Sequence, residues 1–349
     1  MSRRPIFILL PLLLLAAAAH AQDLPTPRPF HVGGFADLEL HTTSENEREG
    51  LDLAELDIFS TYQLSNAWSA LGEAVLLRSW RDSDEKFDAD LERLYVEYST
   101  SDALRVEIGE TQTGIIRWNE REHRSRFLQT PIDLPAIARR PQDDGAWPQR
   151  FAGIFASGRL PGSLGVSWGA GAGAGPGRVR DSTPLTSDGR SPAALLSLSM
   201  APDALPGLEL AAAAYVGKVR LNPGYIRERD ATLSVSYVAS GNEVRAEWAR
   251  MNHRLSSSPA KYRTTGYYAL FSRRLSGRAE RFRPYLLLDR LKIAPGEAYL
   301  SEAADENAWA TGIRYDITQR FSVKGEYRSQ RTVSGDRETI FGVQLGLSF

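Results

Sequence analysis

The sequence predicts an all-β chain, a closed antiparallel transmembrane β-barrel of about sixteen strands. Three observations predict it. Apolar residues recur with a period of two from Phe30 to Phe349, as in a strand with one greasy face and one polar or small face. The breaks between alternating segments are short and long by turns. Aromatic residues collect near segment ends, at Trp68, Trp80, Tyr98, Trp309, Tyr315, Phe321 and Phe349, where membrane barrels carry interfacial girdles. An exported β-sandwich or propeller also alternates and is the competing fold.

Arg3 and Arg4 precede an apolar run from Ile6 to Ala19, and Ala19-His20-Ala21 offers a small-x-small cleavage site. Residues 1–21 therefore read as a secretory signal peptide, 22–29 as a short N-terminal segment and 30–349 as the barrel. After Gln22 no stretch approaches the ~20 apolar residues of a membrane helix, which excludes a helical membrane protein. There is no cysteine, although exported domains often rely on disulfides; a barrel that closes its own edges needs none. A net charge of −1 gives no bulk attraction to nucleic acid.

The first segment alternates Ala36, Leu38 and Leu40 with Asp37, Glu39 and His41, and a charged loop, Thr42 to Gly50, follows. Leu56, Ile58 and Tyr62 then alternate with Glu55, Asp57, Thr61 and Gln63, up to a tight break at Ser65-Asn66. Trp68 to Trp80 leads into polar residues 81–90. Leu94, Val96 and Tyr98 alternate with Arg93, Tyr95 and Glu97, and after Ser101-Asp102, Leu104, Val106 and Ile108 alternate with Arg105 and Glu107. Ten further segments start near Phe151, Leu164, Ala193, Leu208, Ala231, Glu243, Arg263, Phe282, Asn307 and Phe321. Turn formers such as Pro161-Gly162-Ser163, Ser240-Gly241-Asn242 and Ser276-Gly277-Arg278 separate them in pairs. The last segment sets Thr339, Phe341, Val343, Leu345, Leu347 and Phe349 against Glu338, Ile340, Gly342, Gln344, Gly346 and Ser348. Boundary error leaves fourteen or eighteen strands open beside about sixteen.

In lipid every backbone polar group needs a partner within the protein, which a closed sheet supplies. Sixteen to eighteen strands also leave an aqueous interior. The residues assigned inward include Asp37, Glu39, Glu55, Asp57, Glu73, Arg93, Glu97, Arg105, Glu107, Arg245, Glu247, Lys324, Glu326 and Arg328. So many charges are tolerable only where they face water.

With the N-terminus inside, the third outer connection, residues 111–149, is far longer than the rest, and loops of this length are functional or disordered. It carries Arg117, Arg121, Arg124, Arg126, Arg139 and Arg140 with Glu120, Glu122, Asp133, Asp143 and Asp144. Trp118, Phe127 and Trp147 are interleaved, and Pro131, Pro135, Pro141 and Pro148 stiffen it.

These features together resemble the Gram-negative outer-membrane porins. Leu91 to Tyr98, Arg105 to Gly109, Trp118-Asn119 and Leu128 to Pro131 are loosely similar to the phosphate-selective porin-like group. The resemblance implies a Gram-negative outer-membrane location, surrounding lipid and lipopolysaccharide, assembly through a closing strand that ends at Phe349, a third loop folded into the lumen, and a homotrimer. The implied function is passive diffusion of small hydrophilic or ionic solutes without a cofactor. Arg117, Glu120, Arg121, Arg124, Arg126, Asp133, Arg139 and Arg140 would form the constriction, their field opposed by carboxylates such as Asp37, Glu55 or Asp57, because charged rings at a narrowing set selectivity. The competing picture is an external lid pinned by Arg–carboxylate pairs.

Other chemistry finds little footing. Gly169 to Gly177 lacks the Gly-Lys-Ser/Thr ending of a phosphate loop. His31, His41, His123 and His253 form no ligand motif, so no metal site is expected. No Gly-x-Ser-x-Gly elbow occurs, and no catalytic residue is assigned. Acidic outer loops at Glu45, Glu47 and Glu49 and at Asp82, Asp84 and Glu85 read as solvated faces. A barrel used as an enzyme or adhesion scaffold remains the alternative class.

Overall fold

The computed structural model describes residues 30–44, 50–77, 88–122, 127–139, 145–175, 191–220, 224–297, 300, 305–331 and 337–349. The expected signal peptide, segment 22–29, the acidic loop residues, Trp80, His123, Arg124, Arg126 and Arg140 lie outside them.

Sixteen antiparallel strands close into one barrel. In chain order they are β1 (Phe30–Thr43), β2 (Gly50–Gln63), β3 (Trp68–Leu77), β4 (Asp88–Ser101), β5 (Leu104–Gln112), β6 (Arg150–Arg159), β7 (Val166–Ala174) and β8 (Pro192–Met200). They continue as β9 (Leu208–Arg220), β10 (Tyr225–Ala239), β11 (Asn242–Leu255), β12 (Lys261–Arg273), β13 (Phe282–Lys292), β14 (Glu306–Asp316), β15 (Phe321–Arg331) and β16 (Arg337–Ser348). Each strand pairs with its sequence neighbours, and β1 closes on β16 from Phe35 opposite Ser348 to Thr43 opposite Ile340. Phe349 extends the seam by exchanging backbone hydrogen bonds with Gly34, at 3.0 and 3.1 Å. The barrel thus leaves no unpaired edge, as a lipid-embedded sheet requires.

Parity assigns the faces. Along β13, Phe282, Leu286 and Leu288 are exposed on the outer wall, whereas Tyr285, Leu287, Asp289 and Leu291 are buried inside. Tilted aromatic pairs ring the short-turn end: Phe30–Tyr62, Trp68–Tyr98 and Phe282–Tyr315, with centroids 6.4, 5.0 and 4.7 Å apart. Trp248, Tyr267, Trp309, Tyr327 and Phe341 are exposed farther toward the long-loop end. An apolar belt between two aromatic levels is the surface a bilayer demands.

Strand extents depart from the sequence reading in two places. β10 begins at Tyr225, not Ala231, and β11 and β12 also reach farther outward than expected. Their upper ends carry charge on both faces, Arg227 and Arg229 outside against Glu228 and Asp230 inside, so hydrophobic alternation stops before pairing does. In β4 the register shifts opposite Glu73/Ala74. This bulge turns both Glu92 and Arg93 inward, each buried, because an extra residue on one strand resets the period of two.

Gly169 to Ala174 of the glycine run lie in strand β7. Inward-facing Gly169 and Gly171 lie beneath the rings of Phe155 and Phe151: a Cβ at Gly169 would sit 2.7 Å from Phe155 Cζ, and one at Gly171 2.6 Å from Phe151 Cζ. Gly171→Leu should therefore lower thermal stability in detergent by about 1–3 kcal/mol, the usual cost of overpacking. An unchanged melting midpoint would show that the rings yield freely.

Candidate pore constriction

The connection between β5 and β6 is tied at its neck. Thr113 donates through its backbone N–H to the Gln149 carbonyl at 2.7 Å and through Oγ1 to the Pro148 carbonyl at 2.7 Å. Beyond the neck the chain forms a short helix, α1 (Arg117–Glu122). Its first N–H groups point at a wall carboxylate: Arg117 N and Trp118 N donate to Glu247 of β11 at 2.7 and 3.3 Å. Exposed N–H groups and the helix dipole both favour an anion there.

The described part of the loop continues along inward-facing residues of β10 to β15. Thr130 donates to Glu243 at 2.6 Å, Ile132 N to Glu326 at 3.0 Å and Ala136 N to Asp289 at 2.9 Å. Lys324 Nζ donates to the Pro131 carbonyl at 3.0 Å, and Arg139 grips Glu306 with two bonds of 2.5 and 2.9 Å. Each wall acid meets an N–H or hydroxyl donor of the loop, which offsets the cost of removing it from water.

Apolar packing reinforces these bonds. Ile115, Ile116, Ala136, Ile137, Ala138 and Trp147 share one buried cluster with Met251, Leu270, Leu287, Leu291 and Ala310 of the inner wall. Trp118 meets Tyr268 edge-on at 5.2 Å, and the Arg245 guanidinium lies 5.7 Å from the Trp118 ring. β11 to β14 carry a greasy inner stripe under the loop, beside the charged inward positions. Lys324 and Arg328 lie on the inner wall and are only 1 % exposed, because the loop residues Pro131 and Asp133 pack on them.

The assigned residues separate into groups. Arg117 and Arg121 converge on Glu209 of β9; Arg117 Nε stands 2.9 Å from it and also pairs with Glu120. Glu122 pairs with Arg245. Burial, with Arg117 and Arg245 close by, holds the Arg121 guanidinium below its ordinary range. Asp133 and Arg139 lie on the far side beside Arg328; burial works against the Arg139 charge, but the charge and hydrogen bonds of Glu306, with Asp289, leave its guanidinium raised. Asp37 accepts from Glu55 N and Gln344, both at 2.9 Å, and Glu39 bonds His41 at 2.9 Å. Arg93 pairs with Glu73, and Asp57 is buried in the same wall. Among the described residues, the wall carboxylates that meet the loop arginines Arg117, Arg121 and Arg139 are Glu209 and Glu306. Parity marks Glu209, which shares a face with Ala211 and Ala213; Glu306 and Asp289 were hidden by apolar residues on both sides of their strands.

An open cavity of about 620 Å³ remains between α1 and the wall of β4 to β10. Asp102, Arg105, Glu107, Arg117, Glu120, Arg159 and Glu209 supply its charges. Glu97 stands 3.5 Å from Arg105. Opposite α1 the wall is small: Ser157, Ser167, Gly169, Ser197, Ser199, Ala211 and Ala213. Small side chains leave space where the bulky wall of β11 to β14 leaves none.

No protein-family model matches the chain, and no curated protein matches it. Solved structures do. The loop L8 deletion mutant of OmpT, an outer membrane protein of Vibrio cholerae, superposes with a TM-score of 0.64 at 10 % identity, covering 93 % of this chain and 100 % of that one. The anion-selective porin from Comamonas acidovorans gives 0.61 at 13 %, covering 93 % and 100 %. The outer membrane channel DcaP of Acinetobacter baumannii gives 0.61 at 12 %, covering 93 % and 99 %. The fold is the porin-like barrel of outer-membrane channels.

Proposed function

We propose that this chain is a porin of the Gram-negative outer membrane, passing small hydrophilic or ionic solutes passively between α1 and the small-residue wall of β6 to β9. The observation that carries the reading is the 620 Å³ cavity lined by paired charges inside a barrel with an apolar belt. Charges at a narrowing select by attraction and by the cost of stripping water. In this reading Glu209, shared by Arg117 and Arg121 beside the cavity, forms the eyelet. A passive channel needs neither cofactor nor catalytic residue. The narrower reading, preference for phosphate or other anions, draws support from Arg105, Arg117 and Arg159 and is opposed by Asp102, Glu107, Glu120 and Glu209. A homotrimer is the matching assembly; one solved form of the Vibrio cholerae protein is described as a trimer.

Purified protein in planar bilayers should give stepwise conductance, and its absence would overturn the reading. In a salt gradient, Arg117→Gln with Arg121→Gln should move the reversal potential toward cation preference, and Glu209→Gln toward anion preference. Unchanged potentials in both would remove these residues from the eyelet.

A further inference from the structure

The wall opposite α1 is rich in hydroxyls as well as small. Two rows of inward-facing cross-strand neighbours traverse β6 to β10. One row runs Ser157, Gly169, Ser197, Ala213 and Thr232. The row beside it, nearer the short turns, runs Arg159, Ser167, Ser199, Ala211 and Ser234. Thr232 Oγ1 is engaged, donating to the Ile115 carbonyl at 2.7 Å. The hydroxyls of Ser157, Ser167, Ser197, Ser199 and Ser234 border the cavity and have no hydrogen-bond partner among the described residues. Each offers one donor and two acceptor lone pairs. Neighbouring strands lie about 5 Å apart and alternate residues along a strand about 7 Å apart, so the five serines form a regular grid.

Phe155 borders the same cavity and leans over Gly169, where a Cβ would lie 2.7 Å from its Cζ. An aromatic ring beside a hydroxyl grid suits a flat solute with apolar C–H faces and a polar rim. The charges around the cavity favour an uncharged occupant. Three arginines and four carboxylates border it, so a solute of either net charge meets repelling groups in the same space. Arg117 is paired with Glu120 and Glu209, and Arg105 stands 3.5 Å from Glu97. Arg159 makes no ion pair among the described residues, and its guanidinium supplies further donors at the end of the second row.

We propose that this wall binds an uncharged sugar ring on its way through the barrel, the ring lying against Phe155 and its hydroxyls met by Ser157, Ser167, Ser197 and Ser199. The proposal rests on the channel reading above and narrows its solute class. A sugar hydroxyl both donates and accepts, as each serine does, so neither partner leaves a polar group unsatisfied. An anion only accepts, and it uses half of what the serines offer. The cavity of about 620 Å³ has the size of a small-molecule site. Its open side keeps the hold weak, which suits a channel, because a solute held tightly would not move on.

The test combines single-channel recording with saturation-transfer NMR of the barrel in an amine-oxide detergent, which carries no sugar. D-Glucose should interrupt the current in a saturable way, and its ring protons should receive saturation from the protein. In the double variant Ser167→Ala, Ser199→Ala the half-saturating glucose concentration should rise about tenfold in both measurements, the effect of two lost hydrogen bonds. The same change in the other row, Ser157→Ala with Ser197→Ala, should act alike. Equal half-saturation in the wild type and both variants would overturn the proposal. So would equal block by triethylene glycol, a neutral chain with hydroxyls only at its ends, which would mark plain obstruction. Inorganic phosphate displacing glucose at a lower concentration than glucose itself needs would also overturn it, and would mark a free-anion site. A wild type that conducts but neither binds glucose nor responds to it would remove the sugar site and leave the channel standing. A wild type that binds glucose yet fails to conduct would reject the channel and leave the site.

Discussion

Replacing Ile137 with aspartate is expected to release the loop from the inner wall and raise unitary conductance several-fold. Ile137 is fully buried among Leu270, Leu287 and Ala310. Losing its side chain costs about 2–5 kcal/mol through lost burial and the cavity left behind. An unpaired carboxylate at that position adds the penalty of a buried charge. The strands keep their ladders, so the barrel itself persists while its contents move. An independent wedge should give the same phenotype from the other side. A Cβ at Gly266 would fall 2.4 Å from Ile137 Cγ2, so Gly266→Leu displaces the same residue without touching the loop sequence. Single-channel recordings of both variants check the idea. Folded barrels of unchanged conductance in both would mean that the loop does not limit flow.

Arg328→Met is expected to cost about 3–5 kcal/mol, the penalty for breaking a buried ion cluster by removing one member. Arg328 is 1 % exposed. Its guanidinium stands 2.9 Å from Asp289 and 3.8 Å from Asp133, and it pairs with Glu306. Without it, three carboxylates lose a shared cation, while Arg139 still pairs with Glu306. Methionine fills much of the volume, so packing accounts for little of the loss. Adding Asp289→Asn to the variant should recover part of the stability, because it removes one repelling charge while keeping an acceptor for the Ala136 N–H. Thermal unfolding of the detergent-solubilised barrel, followed by circular dichroism, measures both. A single variant within about 0.5 kcal/mol of the wild type, the range of ordinary surface changes, would show that water reaches the cluster.

The two predictions concern parts of the molecule that differ in legibility. In β16 the sequence assigns every side chain to its face, since Phe341, Val343, Leu345 and Leu347 alternate with Ile340, Gly342, Gln344 and Gly346. The short turns are legible too, because Ser240 and Gly241 adopt positive φ of 52° and 78°, and such residues announce a reversal. The bulge at Glu92 was not legible, because nothing in Leu91-Glu92-Arg93-Leu94 says which acid will break the alternation. Nor was the greasy inner stripe. Leu286, Leu287 and Leu288 read as one apolar run, and only the covering Ile137 explains why Leu287 faces inward without contacting water.

Sequence by itself determined the strands, their faces and the closed barrel, because the pleat fixes a period of two within each segment and needs no knowledge of distant residues. Tertiary structure alone decided which acids the loop engages and where the open passage runs. Ile132 N meets Glu326 across 194 positions, and Arg139 meets Glu306 across 167. Bonds of that kind depend on the curvature of the wall and on the volume of facing side chains, and neither leaves a periodic trace in the chain.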